Sequence, residues 1–343
     1  MKSWIVAGAL GTVVAGLFVG AVACSSDGGT VLPPAKDTGT PDTTSTDTGP
    51  IGDTGTIDDT GSTGDTPGEV GPPACPSVLK EGKIAELFDP GSSKVVAVGD
   101  GLKVTGVIAT SIKFIVSKSS TAGGTCLYGV YVADANVTFL PYSGTLLVSK
   151  GNPASAGDGG GTFCSNGDLI PDDVKPGDVI TAAGTFSPFG PTSSTCGGAK
   201  PPVPVPTPAK GNQVASLCLF TRTGTSTKVG PADVTPADIE DGSANLAKWQ
   251  GGLVRLKNVK ATSATAPGDS PSSYGNFKVE GSTKLQIGDK IYYRGAATAP
   301  TVKIGDVFTE ISGMPYLDFC TWSLEPTSIC DLKPVPSTSA TCP

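Results

Sequence analysis

Short runs of β-branched and apolar residues, each closed by glycine, proline, serine or asparagine, constrain the fold of this 343-residue chain most strongly. Valine, isoleucine and threonine are crowded at Cβ and fit a pleated strand better than a helix. The apolar period of a long helix is absent from the chain after residue 73. Short strands separated by turn residues are typical of sandwiches and barrels. We therefore expect an all-β fold with short helices.

The predicted strands fall into two sets. The first set is Leu102–Thr110, Lys113–Ser117, Tyr128–Asp134, Thr145–Ser149, Val179–Phe186 and Val214–Thr221. The second set is Leu253–Thr262, Asn276–Glu280, Lys290–Arg294, Val307–Gly313 and Phe319–Leu324. Both sets open with a similar strand, and both contain Gly-Asp-Val, at Gly177 and at Gly305. Because Gly-Asp favours a turn before a strand, the pattern indicates a repeat whose first unit has longer loops.

Two further segments have a recognisable local pattern. Thr235-Pro236-Ala237-Asp238 predicts the start of a short helix that runs towards Trp249, since proline favours the first helical position and an acidic residue favours the first turn. The stretch 200–210, KPPVPVPTPAK, predicts an extended polyproline loop. An alternative for this loop is a ligand for a proline-binding module.

The order of these segments resembles the OB-fold units of bacterial secreted proteins, including the non-catalytic N-terminal part of some large extracellular nucleases. The resemblance covers residues 77–333. In the first unit it rests on Leu102–Thr110, Tyr128–Asp134, Tyr142-Ser143-Gly144 and Pro176-Gly177-Asp178-Val179. In the second unit it rests on Thr235-Pro236-Ala237-Asp238-Ile239, Gly252-Leu253-Val254, Trp322-Ser323-Leu324-Glu325-Pro326-Thr327 and Asp331-Leu332. The resemblance implies two tandem OB-like small β-barrels, a fold that binds ligands on one face.

The N-terminus has the form of an export signal. Lys2 is followed by an uncharged stretch to Ala23, and small residues precede Cys24. Ala21-Val22-Ala23-Cys24 resembles a bacterial lipobox, which implies a signal peptide over 1–23 and a lipid on Cys24. An uncleaved membrane helix is the alternative, because the stretch is long enough to span a bilayer. Ser25 after the cysteine resembles the sorting pattern of outer-membrane lipoproteins, on either the periplasmic or the surface face.

Residues 24–73 are predicted to be a lipidated cysteine followed by a disordered tether. Their Thr, Asp, Gly, Pro and Ser residues supply too little apolar surface to offset the entropy of ordering. Asp-Thr-Gly, the catalytic tripeptide of aspartic proteases, occurs here at Asp37, Asp47, Asp53 and Asp59. The copies lack apolar flanking strands, so we interpret them as low-complexity sequence. The remaining chain is predicted to form an OB-like domain over 74–234, another over 235–333, and a tail over 334–343.

Eight cysteines follow Cys24, and their even number in an exported chain predicts disulfides. They are Cys75, Cys126, Cys164, Cys196, Cys218, Cys320, Cys330 and Cys342. The sequence leaves their connectivity open. Pairing near neighbours gives Cys126–Cys164, Cys196–Cys218 and Cys320–Cys330, which leaves Cys75–Cys342 to join the ends.

Charge and composition argue against an enzyme. The tether and Lys2 account for nine of the 31 acidic and two of the 24 basic residues, which leaves 22 of each in the rest of the chain. A neutral domain is a poor general binder of nucleic acid, whose phosphates attract basic surface. The chain has no histidine, so the commonest general base and metal ligand is missing. We expect no catalytic residue and no cofactor; a glycosidase that uses a pair of carboxylates is a third alternative.

Two groups of residues are candidates for ligand contacts. Asp168, Asp172, Asp173 and Asp178 could hold calcium, although a solvated acidic loop is the simpler interpretation, and we predict no metal site. Rings that could stack on bases are Tyr128, Tyr131, Phe139, Tyr142, Tyr274, Phe277, Tyr292 and Tyr293. Tyr128 alternates with Val130 and Val132, which predicts a core position. Tyr292 and Tyr293 face opposite sides, so one of them is expected to meet solvent.

These patterns favour a non-enzymatic, membrane-anchored lipoprotein that presents two OB-like binding barrels to an envelope protein or glycan. The alternative is a weak single-stranded nucleic-acid binding module, accessory to a separate nuclease. Ligand-binding residues cannot be chosen from the sequence.

Overall fold

The computed structural model describes residues 73–157, 162–193, 196, 204–264, 276–292, 302–318 and 320–334. The predicted signal peptide, Cys24, the tether to residue 72, the tail from residue 335 and Cys342 lie outside them. All described residues belong to a compact unit that spans Pro67–Pro343. The protein is 42% strand and 7% helix, which confirms the predicted all-β class with short helices.

Nine strands and one helix form the N-terminal part of the described fold. In chain order they are β1 (Lys80–Glu81), α1 (Ile84–Phe88), β2 (Gly101–Ala109), β3 (Phe114–Lys118), β4 (Cys126–Ala133), β5 (Gly144–Lys150), β6 (Ser155–Ala156), β7 (Thr162–Phe163), β8 (Asp178–Phe186) and β9 (Gln213–Thr225). All six strands of the first predicted set are present, and each begins within two residues of its predicted start.

Five of these strands close into a barrel. β2 pairs with β4 and β8, β4 pairs with β5, and β8 pairs with β9, all antiparallel. β5 and β9 pair in parallel, with Leu146 opposite Gln213, and this pairing completes the ring. If the five strands are numbered along the chain, their order around the barrel is 1-2-3-5-4. Side chains that alternate along the strands, such as Leu102, Val104, Val130 and Val132, fill the interior.

The C-terminal part forms a second sheet. Its elements are β10 (Ala232–Asp233), a 3-10 turn (Pro236–Asp238), α2 (Leu246–Trp249), β11 (Val254–Lys260), β12 (Phe277–Lys278), β13 (Gln286–Ile287), β14 (Val307–Asp318), β15 (Thr321–Glu325), a 3-10 turn (Ile329–Asp331) and β16 (Leu332–Lys333). β14 pairs antiparallel with β11, β15 and β16, and β12 pairs antiparallel with β13. β13 and β15 pair in parallel.

The predicted Gly-Asp turns are confirmed and have the same geometry. The N–H of Gly177 donates to the carbonyl of Ala109 over 2.9 Å, and the N–H of Gly305 donates to that of Ala261 over 2.9 Å. Gly177 has a φ of 101° and Gly305 has a φ of 96°. A residue with a side chain would adopt such a positive φ only at an energetic cost. The carboxylates of Asp178 and Asp306 each accept an N–H from the lysine three residues earlier.

Each unit begins with a short strand that pairs in the same way. β1 pairs in parallel with β2, and β10 pairs in parallel with β11. Lys80 lies opposite Leu102 and Ala232 opposite Val254, so the partners are separated by the same length of chain. The second sheet begins with β10, just before the predicted domain start at residue 235.

An apolar core joins the barrel to the second sheet. Tyr131, Leu146 and Val148 come from the outer face of the barrel, and Phe114 and Val116 come from β3, which pairs with β4 beside it. Met314 and Tyr316 come from the second sheet, and Ile291 comes from the loop after β13. The rings of Phe114 and Tyr316 meet edge to face, with centroids 6.1 Å apart. Aromatic pairs of this kind are favourable beyond the area that they bury.

The disulfides correct most of the predicted pairs. Cys126–Cys164 is confirmed. The pairs Cys196–Cys218, Cys320–Cys330 and Cys75–Cys342 are wrong, because Cys75 is bonded to Cys218 and Cys196 to Cys320. Cys330 is also disulfide-bonded. Sequence proximity misled the pairing because the entropic cost of closing a loop grows only slowly with its length.

Two predicted elements in the second unit are wrong in part. The described residues of Lys290–Arg294 form no strand, and the strand lies earlier, at Gln286–Ile287. The Gly-Asp at 288–289 ends this strand, whereas those at 177–178 and 305–306 lie at the start of one. The helix predicted from Thr235 towards Trp249 is a 3-10 turn followed by α2, separated at Gly242, whose φ is 85°.

The proline-rich loop is held against the second sheet where the structure describes it. The indole N–H of Trp322 donates to the carbonyl of Pro208 over 2.9 Å, and the N–H of Gly242 donates to that of Thr207 over 2.7 Å. The backbone carbonyl groups of residues 207 and 208 are therefore hydrogen-bonded within the molecule. Residues 200–203 of the predicted polyproline loop lie outside the described residues.

Candidate functional site

The outer face of β4 and β5 is where a barrel of this strand order would bind a ligand, and here it is covered. Tyr131 is 2% exposed because its ring lies against the second sheet. Tyr128 is 5% exposed, which confirms that it is buried, but it packs with Cys126, Ala154 and Cys164 rather than in the barrel interior. Phe139 and Phe277 are buried, whereas Tyr142 and Tyr292 are half-buried. Tyr274 and Tyr293 lie outside the described residues. The described candidate rings therefore form no open stacking platform.

A narrow crevice remains between the barrel and the second sheet. Its lining includes Tyr131, Gln213, Gln250, Tyr316 and Trp322, and its volume of about 20 Å³ suits a water molecule rather than a ligand. Burial raises the pKa of the Tyr131 hydroxyl and that of Tyr316, so both stay neutral. We interpret this crevice as a hydrated seam within the fold.

The acidic loop that could have held calcium is neutralised by basic side chains. The ammonium of Lys113 lies 2.6 Å from Asp168 and 2.7 Å from Asp172, and it also lies 4.5 Å from the centre of the Tyr128 ring. Burial lowers the pKa of Lys113, but its hydrogen bonds to the two carboxylates raise the pKa by more. A calcium ion at this position would have to displace a buried ammonium.

The other two carboxylates of the acidic loop are paired with an arginine. The guanidinium of Arg222 lies 2.9 Å from Asp173 and 3.2 Å from Asp178. Among the residues that the structure describes, no group of three or more Cys, Asp or Glu side chains is placed to hold a metal ion. The loop is better explained as an ion-paired support for the barrel than as a calcium site.

A polar cleft opens at the end of the barrel beside α1. It has a volume of about 270 Å³. Its lining is Glu81, Gly82, Lys83, Lys103, Thr105, Gly106, Val107, Asp134, Ala135 and Asn136. We call these residues the end cleft. The lining carries charges of both signs and no aromatic ring.

Three local features shape the end cleft. The pairing of β1 with β2 brings Glu81 within 3.2 Å of Lys103. The register of β2 shifts between Val104 and Val107, and such a bulge bends a strand. Gly106 lies in this bulge with a φ of 69°, and a side chain there would contact nothing within 4 Å. The bulge therefore leaves open space where a strand normally presents side chains.

Asp134 forms the buried wall of the end cleft. Its carboxylate accepts the N–H of Ile84 over 2.7 Å and that of Ala85 over 3.0 Å, at the start of α1. Burial raises the pKa of Asp134, and the two N–H donors offset only part of this effect. Lys83 is exposed at the rim and forms no ion pair with any residue that the structure describes.

No family model, curated protein or solved structure matches this chain. Among the described residues, no helix is both long and apolar enough to cross a bilayer. The function therefore has to be argued from the chemistry of the end cleft and from the fold that supports it.

The end cleft presents hydrogen-bonding side chains on several of its sides. Lys83, Lys103 and Asn136 supply hydrogen-bond donors, and Glu81 and Asp134 supply acceptors. A hydroxyl can donate to a carboxylate and accept from an ammonium, so hydroxyl-rich groups suit this lining. This site was not among the predicted ones, because its residues come from three distant segments. A possible signal was Gly106, a glycine inside a predicted strand, which indicates a bulge.

Proposed function

We propose that this chain is a non-enzymatic, membrane-anchored lipoprotein that presents two OB-like barrels as one body and binds an envelope glycan through the end cleft. The observation that supports this proposal most is the set of hydrogen-bonding side chains in the lining of the end cleft, among them Lys83, Asn136 and Asp134. The three described disulfides suit a protein that works outside the reducing cytoplasm. Export to the outer membrane and the lipid on Cys24 rest on the N-terminal sequence.

The strand order supports the proposal that the second sheet is also an OB-type barrel. Its strands β11, β12, β13, β14 and β15 pair in the order 1-2-3-5-4 when they are numbered along the chain. The ring is completed by the isolated bridge between Ala261 and Val279. This order, and the parallel pairing of the third and fifth strands, are the same as in the first barrel.

A protein partner is less well supported than a glycan. The apolar core between the barrel and the second sheet already covers Phe114, Tyr131 and Tyr316. Weak binding of single-stranded nucleic acid, as an accessory to a separate nuclease, is the alternative function. It would require stacking rings, and the described candidate rings are buried or half-buried.

The test is a binding titration of the oxidised full chain with soluble fragments of envelope polysaccharide, followed by calorimetry. We expect Lys83→Ala and Asn136→Ala each to weaken binding by about tenfold, which corresponds to the loss of one or two hydrogen bonds. The matched control is Lys94→Ala, a lysine that is 55% exposed and pairs with Glu86 outside the end cleft. Absence of binding, or equal affinity of all four proteins, would contradict the proposal.

Two further measurements separate the alternatives. Fluorescence anisotropy of a labelled single-stranded oligonucleotide, at low and physiological salt, should show no binding; binding that weakens steeply with salt would favour the nucleic-acid function. Incubation with the polysaccharide should release no new reducing ends. Hydrolysis that Asp134→Asn abolishes would show that the protein is an enzyme, with Glu81 and Asp134 as its carboxylate pair.

A further inference from the structure

Two of the disulfides overlap along the chain. Cys75–Cys218 encloses Cys196, and Cys196–Cys320 encloses Cys218. A covalent path therefore runs from Cys75 to Cys218, back along the chain to Cys196, and across to Cys320. The only stretch of polypeptide on this path is the segment between Cys196 and Cys218, which we call the strap.

We propose that the strap and its two disulfides form a mechanical bypass, which carries tension from the N-terminal tether to Cys320, so that the strands before the strap and those between the strap and Cys320 cannot be drawn out. The proposal rests on the anchored state in the proposed function, because a tethered chain is pulled from the N-terminal side of Cys75. It adds a mechanical function that the binding proposal does not contain.

The length of the bypass follows from chain geometry. The step from Cys218 back to Cys196 is 22 residues, and at about 3.3–3.6 Å per residue it extends to roughly 73–79 Å. The direct route from Cys75 to Cys320 is 245 residues, which would extend to roughly 810–880 Å. The overlapping disulfides thus limit how far this part of the chain can stretch to about a tenth of its length.

The composition of the strap suits this role. It contains Pro201, Pro202, Pro204, Pro206 and Pro208. Proline fixes its own backbone φ and so reduces the number of conformations open to a segment that contains it. Its described part is fixed to the second sheet, since Pro208 accepts a hydrogen bond from Trp322 and the Thr207 carbonyl accepts one from Gly242.

The positions of the disulfides in the fold also fit the proposed bypass. Cys218 lies in β9, which pairs with β8 along its length and with β5 at its start. Tension that arrives at Cys75 therefore reaches the middle of the barrel directly. Without that disulfide, the pull would act first on β1, whose two-residue parallel pairing with β2 is short.

The proposal is tested by stretching single molecules in optical tweezers. The oxidised full chain carries one attachment tag between residues 60 and 61 and another after Pro343. Relative to wild type, Cys196→Ser with Cys320→Ser should lengthen the stretched molecule by 80 residues, about 260–290 Å. Cys75→Ser with Cys218→Ser should lengthen it by 61 residues, about 200–220 Å, because the shortest path then runs through Cys126–Cys164. Each expected gain is the length of the new shortest covalent path between residues 75 and 320 minus the length of the strap.

The matched control is Cys126→Ser with Cys164→Ser, which removes the disulfide inside the bypassed region and should leave the stretched length unchanged. If a variant fails to fold, reduction of the folded wild type while it is held under tension gives the same information, with an expected gain of at least 223 residues, about 740–800 Å, because the disulfide of Cys330 opens as well. A wild type that already stretches to this reduced length, or a control that lengthens, would overturn the bypass. Either result leaves glycan binding untouched, because that is measured without tension.

Discussion

Lys113 and Asp168 form an ion pair that is closed to solvent. Their Nζ and Oδ2 atoms lie 2.6 Å apart, and the two side chains are 7% and 0% exposed. The same ammonium donates to the carbonyl of Ile170 over 2.9 Å and to Asp172 over 2.7 Å. The pair ties the start of β3 to the long loop before β8, so each side chain is satisfied only while both segments are folded.

Lys113→Met is expected to destabilise the protein by about 3–5 kcal/mol, because the Asp168 carboxylate would remain buried without its cation. Urea unfolding of the oxidised protein measures this loss. The double variant Lys113→Met with Asp168→Asn should recover part of it. The exposed pair of Lys94 and Glu86 provides the control, and Lys94→Ala should cost less than about 1 kcal/mol. Equal losses in the two single variants would contradict the burial of the Lys113 pair.

Asp134 should make the free energy of unfolding depend on pH in the direction opposite to that of most acidic side chains. Burial raises its folded pKa above the ordinary value of 3.8. A raised pKa contributes stability that is fully present below the unfolded pKa and is lost as the pH rises through the folded pKa. Asp134→Asn does not titrate, so the stability of wild type relative to this variant should fall as the pH rises from about 3 to 7.

Asp100 is the control for that experiment. Its hydrogen bond to Lys80 lowers its pKa, so its contribution is present above the unfolded pKa and is lost as the pH falls through the folded value. The stability of wild type relative to Asp100→Asn should therefore rise with pH over the same range. Denaturant unfolding at several pH values measures both differences. A flat or rising difference for Asp134→Asn would show that burial does not control its titration.

The contact between Phe114 and Tyr316 should couple the barrel to the second sheet. Phe114→Ala is expected to cost about 3–5 kcal/mol, because it leaves a cavity in the shared core. A double-mutant cycle with Tyr316→Ala should give a coupling free energy of about 0.5–1.5 kcal/mol. Ile115 is the adjacent residue and is 41% exposed, so Ile115→Ala should change stability by only about 0.5 kcal/mol. Additive losses at Phe114 and Tyr316 would show that the two rings do not interact.

The equivalent turns at Gly177 and Gly305 should respond alike to substitution. Both glycines have a positive φ, so Gly177→Ala and Gly305→Ala should each cost about 1–2 kcal/mol of unfolding free energy. Gly224 has no positive φ, and a Cβ there would meet nothing within 4 Å. Gly224→Ala should therefore leave the melting temperature unchanged or raise it slightly. A loss at only one of the two turns would argue against their structural equivalence.

The strands were predictable because their signal is local. β-branched runs and the Gly-Asp turns at Gly177 and Gly305 mark strand starts without reference to the rest of the chain. β12 and β13 have two residues each, and such short pairings depend on tertiary contacts that no local pattern reports. The same limit explains the wrong strand at Lys290–Arg294.

The end cleft and the disulfides were not predictable because they depend on which distant segments become neighbours. Glu81, Gly106 and Asp134 meet only after β1 pairs beside β2 and the barrel closes. Tyr131 lies between two inward-facing residues, as an outer-face residue should. It is nevertheless buried, because another sheet covers that face. A sequence period reports the face on which a side chain lies, but not what packs against that face.

The overlapping disulfides also matter for how the chain forms its disulfides during folding. A chain that emerges from its N-terminus presents Cys75 and Cys126 first, whereas the partner of Cys75 is 143 residues away. Thiols oxidise with whichever partner is near, and exchange through mixed disulfides corrects the errors. Oxidation in order of emergence would join Cys75 to Cys126 and trap the barrel open. The yield of folded protein should therefore depend on a disulfide isomerase in the compartment that receives the chain.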